Sequence, residues 1–360
     1  MRSVILFFMA VIALAMIPAP LFATYDHVVV VMLENHSYQQ ILDSPSASYI
    51  NTVLRPESAN ITQSYGVQHP SQPNYYWLFS GSNQGITTDT APTAPVYSTP
   101  NLYTSLTAAG QSFGGYVDAY PGPTNLYSDT DNYVTRHVPW LGFTNVPANL
   151  TQPFTSFPTS GVGYAALPTV SFVIPGLDHD MHDYNSTGSE VENSAESEIA
   201  IGLGDAWLRA NIDSYVEWAK ANNSLLILTT DEDSTADWIT PPLTVKNADD
   251  YTSPDDGPNP SGVSGPNQIT TLFVGANIVA GDYSEGNGTT NVNVLRTIES
   301  FYGLTPSGDQ APLATAAGIG DGPITDIFAV PVPEPSSITL LLLSGVFCVL
   351  FLRKQSFKSC

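Results

Sequence analysis

The 360-residue chain predicts an α/β fold with a mostly parallel central sheet. Three observations predict it. Four near-continuous apolar or β-branched runs have the length of buried strands, patterns with helical spacing lie between them, and polar residues gather just past the strand ends.

The first run, HVVVVMLEN (27–35), has no polar alternation, which marks a strand covered on both faces. TVSFVIP (169–175), SLLILTTDED (224–233) and ITTLFVGANI (269–278) repeat the pattern. A helical pattern runs from Ala195 to Ala221, where Ile201, Trp207, Leu208, Ile212, Tyr215 and Trp218 recur at helical spacing. A second covers Asn291 to Tyr302. Residues 87–160 are rich in Pro, Gly, Tyr, Asn and Thr, and read as long surface loops or a cap. Residues 241–267 read as a further loop-like insert. No internal repeat is visible, so one domain with insertions is expected.

The two ends are read as targeting segments. Residues 1–23 carry Arg2, an apolar run and small residues around Ala23, the pattern of a secretory signal peptide. Pro18 and Pro20 break the run and no basic stop follows, which disfavours a spanning helix. At the other end, VPEPSS precedes ITLLLLSGVFCVLFL and then Arg353 and Lys354. This order resembles the PEP-CTERM sorting signal of Gram-negative bacteria. The resemblance implies export, transient inner-membrane contact through the C-terminal helix, removal of 332–360 by an exosortase-type enzyme, and a place at the cell surface or in the extracellular matrix. An ordinary C-terminal anchor is the alternative. Residues 24–331 are then the mature domain.

Charge narrows the function. The chain has 33 acidic and 10 basic residues. Without the two ends, six bases face 32 acids, a net charge near −26. Such a surface excludes nucleic-acid and anionic-lipid binding driven by its own charge. Cys348 and Cys360 both lie in the tail, so the body forms no disulfide and depends on its core.

The polar clusters fall where ligands bind in parallel sheets, beyond the carboxyl ends of the strands. They are Glu34-Asn35-His36, Asp178-His179-Asp180 with His182-Asp183, and Asp231-Glu232-Asp233. HPSQPNYYWLFSG (69–81) adds Ser71, in a Pro-constrained and exposed turn before an apolar run. Strand-end acids often only cap the next helix, but so many arriving at one sheet edge call for a cation. Asp233 is expected to face outward or cap the following turn.

The blocks VVVVMLENHSYQQIL, HPSQPNYYWLFSG, VIPGLDHDMHD, ILTTDED and NVLRTIESFYGL occur in this order between Val28 and Leu304. They resemble the phosphoesterase family that holds secreted acid phosphatases and, more distantly, phospholipases C of the non-zinc type, within the alkaline-phosphatase-like superfold. No Walker loop, GxSxG elbow or CxxC pair competes. The resemblance implies a divalent cation held by Glu34, Asn35, Asp231 and Glu232, with Ser71 as nucleophile. It also implies His182 as the group that binds the phosphoryl or protonates the leaving oxygen, oriented by Asp180 and Asp183. His69, Asn74 and Asp180 are expected to bind substrate, His36 to be structural, and His27 and His137 carry no signal. Relatives usually place a histidine shortly before LRTIE, where this chain has Asn291 and Asn293. Asn can donate a hydrogen bond but cannot shuttle a proton. The leading reading is a secreted, metal-dependent phosphomonoesterase acting on a small phosphorylated substrate. A phospholipase C-type diesterase and a catalytically weak matrix protein are the alternatives.

Overall fold

The structure is a computed structural model that describes residues 24–329, except 186, 192, 234–266, 287, 311–313, 316–317. The signal-peptide and sorting-tail readings, and most of the 241–267 insert, lie outside the described residues. The chain divides into two compact units, Met1–Phe328 and Ala329–Cys360; the fold described below belongs to the first.

Among the described residues, ten strands occur in chain order: β1 His27–Leu33, β2 Ala59–Ile61, β3 Ser64–Tyr65, β4 Phe113–Val117, β5 Thr151–Pro153, β6 Val170–Ile174, β7 Ser224–Thr230, β8 Thr271–Gly275, β9 Gly281–Tyr283 and β10 Thr289–Thr290. The α-helices are α1 Tyr38–Leu42, α2 Ser71–Ser80, α3 Leu102–Ala108, α4 Gly161–Tyr164, α5 Ser194–Asn211, α6 Asp213–Ala221 and α7 Asn291–Phe301. Eight strands form one sheet in the order β5-β4-β6-β1-β7-β8-β2-β9, and β3 pairs with β10. Strands β5, β4, β6, β1 and β7 are mutually parallel. The fourth run breaks the expectation for its own neighbours: β8 is antiparallel to both β7 and β2.

The two faces of β1 explain its unbroken apolar sequence. Val28, Val30 and Met32 enter one core with Tyr75, Tyr76 and Phe79 of α2 and Val294 and Ile298 of α7. Val29, Val31 and Leu33 enter the other with Ile201 and Leu208 of α5 and Tyr215 and Val216 of α6. Period-2 alternation between two apolar layers leaves no position for a polar side chain. All ten residues of α2 are buried, the pattern of a helix enclosed by the core.

Two further expectations need correction. The 87–160 stretch is not only surface loop: α3, β4 and β5 lie in it, and β4 extends the sheet beside β6. Gly115 hides this strand in the sequence, and a Cβ there would fall 2.1 Å from the buried Trp140 ring. The helical pattern from Ala195 to Ala221 is two helices, separated at Ile212.

Candidate active site

Parallel strands deliver their carboxyl ends to one edge, and the register fixes which residues meet there. Leu33 of β1 pairs with Thr230 of β7, so the next residues, Glu34 and Asp231, emerge side by side. The Asp231 N–H donates to the Leu33 carbonyl at 3.0 Å. Asn35 takes a left-handed conformation, φ 53°, and its backbone N–H donates to Asp231 Oδ1 at 3.1 Å. The Glu34 N–H donates to the Asp180 carbonyl at 2.7 Å, which ties the loop after β6 to the same point.

Ser71 is the first residue of α2 and, contrary to the exposed turn expected, is buried at 3 % exposure. Its Oγ lies 2.9 Å from Glu34 Oε2 and 2.9 Å from Glu232 Oε1. One hydroxyl hydrogen is therefore shared between two carboxylates. Asn74 holds the loop leading to the serine: its side-chain oxygen accepts from the N–H groups of Val67 and Gln68 at 2.9 and 3.1 Å. Its amide reaches Glu232 Oε2 only at 3.5 Å. Gly66 lies beneath this loop, where a Cβ would come 2.7 Å from the Asp231 carbonyl oxygen.

On the β6 side, His182 Nδ1 pairs with Asp183 Oδ1 at 2.7 Å, and Asp180 Oδ1 accepts the His182 N–H at 2.8 Å. Asp183 thus meets the His182 ring and Asp180 its main chain. His69 contacts Glu232 at 2.6 Å and Asp233 at 3.2 Å. Asp233 does not face outward: it is 1 % exposed, and its N–H is held by Asn267 at 2.8 Å. His36 is structural, bonded to Ser197 and the Glu34 carbonyl. His179 is half-buried against Asp118, 2.7 Å away. Asn291 directs its amide to the Asp231 carbonyl at 3.3 Å and so braces the end of β7.

One residue without a sequence signal belongs to this set. His137, in the turn Thr135–His137, puts Nε2 3.1 Å from Glu34 Oε1 and Nδ1 3.7 Å from Asp180 Oδ2. Nothing in TRHVPW distinguishes it, since only the folded packing brings it to β1.

The electrostatics follow from crowding acids in a dry edge. Burial raises the Glu34 pKa well above the ordinary carboxylate value, and the charges of Asp231 and Asp180 raise it further. Burial and the neighbouring Glu232 do the same to Asp231. Asp180 is pushed up to about 7, chiefly by burial. Burial works against a charged His182, yet its hydrogen bond to Asp183 and the charges of Glu34 and Asp180 raise it to about 9. A base raised from 6.5 to about 9 contributes stability that is complete below pH 6.5 and lost as pH rises through 9. Wild type should therefore lose about 3 kcal/mol relative to His182→Gln across that window. Urea titrations in chelator at both ends measure it, and a difference independent of pH would contradict the pairing.

The donor chemistry suits a hard divalent cation, which favours several oxygens. Among the described residues, no group of three or more His, Cys, Asp or Glu side chains has its donors already set around one point. Glu34 Oε1, Asp180 Oδ2 and Asp231 Oδ2 are nonetheless buried without an aligned hydrogen-bond partner, and such atoms are costly unless something binds them. The residues fit a cation in chemistry. No helix among the described residues is long and apolar enough to cross a membrane.

Known proteins identify the family. Residues 58–305 match the model of the Phosphoesterase family. The chain is 39 % identical over 305 residues to the phosphatidylinositol-3-phosphatase of Mycobacterium tuberculosis, covering 85 % of this chain and 83 % of the relative. An acid phosphatase of Aspergillus fumigatus is 27 % identical over 219 residues, covering 57 % of this chain and 44 % of the fungal protein; the chain thus spans under half of that relative's length. Among solved structures, an alkaline phosphatase superfamily protein from Vibrio parahaemolyticus superposes with a TM-score of 0.49 at 13 % identity, covering 80 % of this chain and 69 % of its own. The chain belongs to the phosphoesterase family and is a hydrolase of phosphoric esters.

Proposed function

We propose that the protein is a metal-dependent phosphomonoesterase working through Ser71. The observation that carries this reading is the Ser71 hydroxyl, 2.9 Å from both the Glu34 and Glu232 carboxylates at the sheet edge that also bears the His182–Asp183 pair. A serine hydroxyl becomes nucleophilic when a base takes its proton. Glu34 Oε2, 2.9 Å from the hydroxyl, is placed to accept it. The Ser71 Oγ–P bond forms as the ester P–O bond breaks, and the departing alcohol takes a proton from His182, which is charged up to about pH 9. Water then attacks the phosphoserine: its oxygen bonds to phosphorus, its proton returns to His182, and the Ser71 Oγ leaves with the proton that Glu34 held. Held by Glu34, Asn35, Asp231 and Glu232, a divalent cation would polarise the phosphoryl oxygen and offset the charge of an anionic substrate.

The mycobacterial relative's name supports a phosphate monoester on a polyol headgroup as the substrate class. Export with removal of both ends completes the proposal. It rests on the sequence of residues 1–23 and 332–360, and retention of Cys360 in the mature mass from the native host would overturn it. The functional reading is tested by turnover of p-nitrophenyl phosphate against its phosphorylcholine ester, with and without chelator. Chelator-sensitive hydrolysis of the monoester supports the proposal. Preference for the diester would make the protein a phospholipase C-type enzyme, and absence of turnover on both would point to a binding protein.

A further inference from the structure

His137 joins two parts of the site that come from distant segments of chain. Its turn is fixed from outside the site: Asp129 Oδ1 accepts from the Thr135 N–H at 2.8 Å and from the Thr135 hydroxyl at 2.7 Å. The ring lies flat on Tyr75 of α2, four residues after Ser71, with centroids 4.6 Å apart and planes 6° apart. One edge of the ring meets Glu34 and the other meets Asp180. The facing atoms Glu34 Oε1, His137 Nε2 and Asp180 Oδ2 are all buried and make no aligned hydrogen bond, so the ring meets the two carboxylates as close polar contacts.

This placement has a mechanical meaning. Glu34 is held at Oε2 by the Ser71 hydroxyl and also interacts with the Tyr75 hydroxyl, and its carboxylate turns about the last torsion unless both oxygens are met. The ring at Oε1 removes that freedom. Asp180, on the far side, carries the main chain of His182. We propose that His137 is a positioning residue that fixes the Glu34 carboxylate against Ser71 and holds it in register with the Asp180–His182 loop. The inference rests on the phosphomonoesterase reading above and adds a residue to it. Groups that orient a metal ligand or catalytic carboxylate typically change affinity or activity by about 10- to 100-fold when lost.

Three full-length variants separate this role from simple core packing. His137→Phe keeps the ring and its stacking on Tyr75 but removes both nitrogens. The amide nitrogen of Gln can reach the place of Nε2, and that of Asn the place of Nδ1. Two readouts are used: kcat and KM on p-nitrophenyl phosphate, and affinity for manganese alone by calorimetry. For the Phe variant the expectation is kcat lower by about 10- to 100-fold with KM within about threefold, and manganese bound at least about tenfold more weakly. Gln should recover most of both losses and Asn should not. A folded Phe variant within twofold of wild type on both readouts would overturn the proposal, as would equal rescue by Gln and Asn; if Phe prevents folding, the Gln–Asn comparison decides. Wild-type turnover without manganese binding would reject the cation and leave kcat to judge His137. Manganese binding without turnover would reject the phosphomonoesterase reading and leave affinity to judge it.

Discussion

Ser71→Ala should lower turnover on the order of a thousandfold or more, since a lost nucleophile costs several kcal/mol of transition-state stabilisation at about 1.4 kcal/mol per factor of ten. Acid-quenched wild-type enzyme should carry phosphate on the peptide containing QHPSQPNYY, and the variant should carry none. The structure also sets the stability expected. Ser71 is buried and donates between two carboxylates, so its removal should cost about 1.5–3 kcal/mol, the range for hydrogen bonds to charged groups. Near-normal turnover in the folded variant would remove the covalent route.

Asp231→Asn should abolish most cation binding while making the cation-free protein more stable. Asp231 and Glu34 emerge side by side, both raised in pKa by burial and by neighbouring charge. An asparagine oxygen can still accept the Asn35 N–H, so the local backbone keeps its bond while one repelling charge disappears. The melting temperature in chelator should rise by about 1.5–2 °C, which corresponds to about 1 kcal/mol in a domain of this size. Metal content should fall at least about tenfold and turnover at least about a hundredfold. Unchanged metal content with unchanged turnover would reject Asp231 as a ligand. A lower melting temperature in chelator would show that the acidic edge is not strained by repulsion.

Legibility in the sequence followed how local each signal was. The strands β1, β6 and β7 are legible because burial on both faces demands apolar residues at every position. The direction of β8 is not, since parallel and antiparallel pairing place the same side chains on the same faces. In β4 the sequence FGGYV loses its strand character to glycines required by close packing against Trp140 and Pro168. The same division holds at the site. Glu34, Asp231 and Glu232 follow strand runs and could be placed by counting, as could Ser71 from its block. The inward position of Asp233 depends on His69 and Asn267, and that of His137 on Tyr75 and Glu34, contacts that exist only after folding.

The place of β1 has a consequence for how the protein is made. The first strand among the described residues sits at the centre of the sheet, between β6 and β7, and His27 pairs with Ser224, about 200 residues downstream. During synthesis HVVVVML has no partner on one side until Val170 is available and none on the other until β7 follows. Loop closure over such separations is slow, and an unpaired apolar strand is prone to join another chain in the interval. Catalytic competence therefore arrives late and all at once. The pairing of β1 with β7 that ends this exposure is the same event that brings Glu34 to Asp231, so no nascent chain short of β7 can assemble the acidic edge.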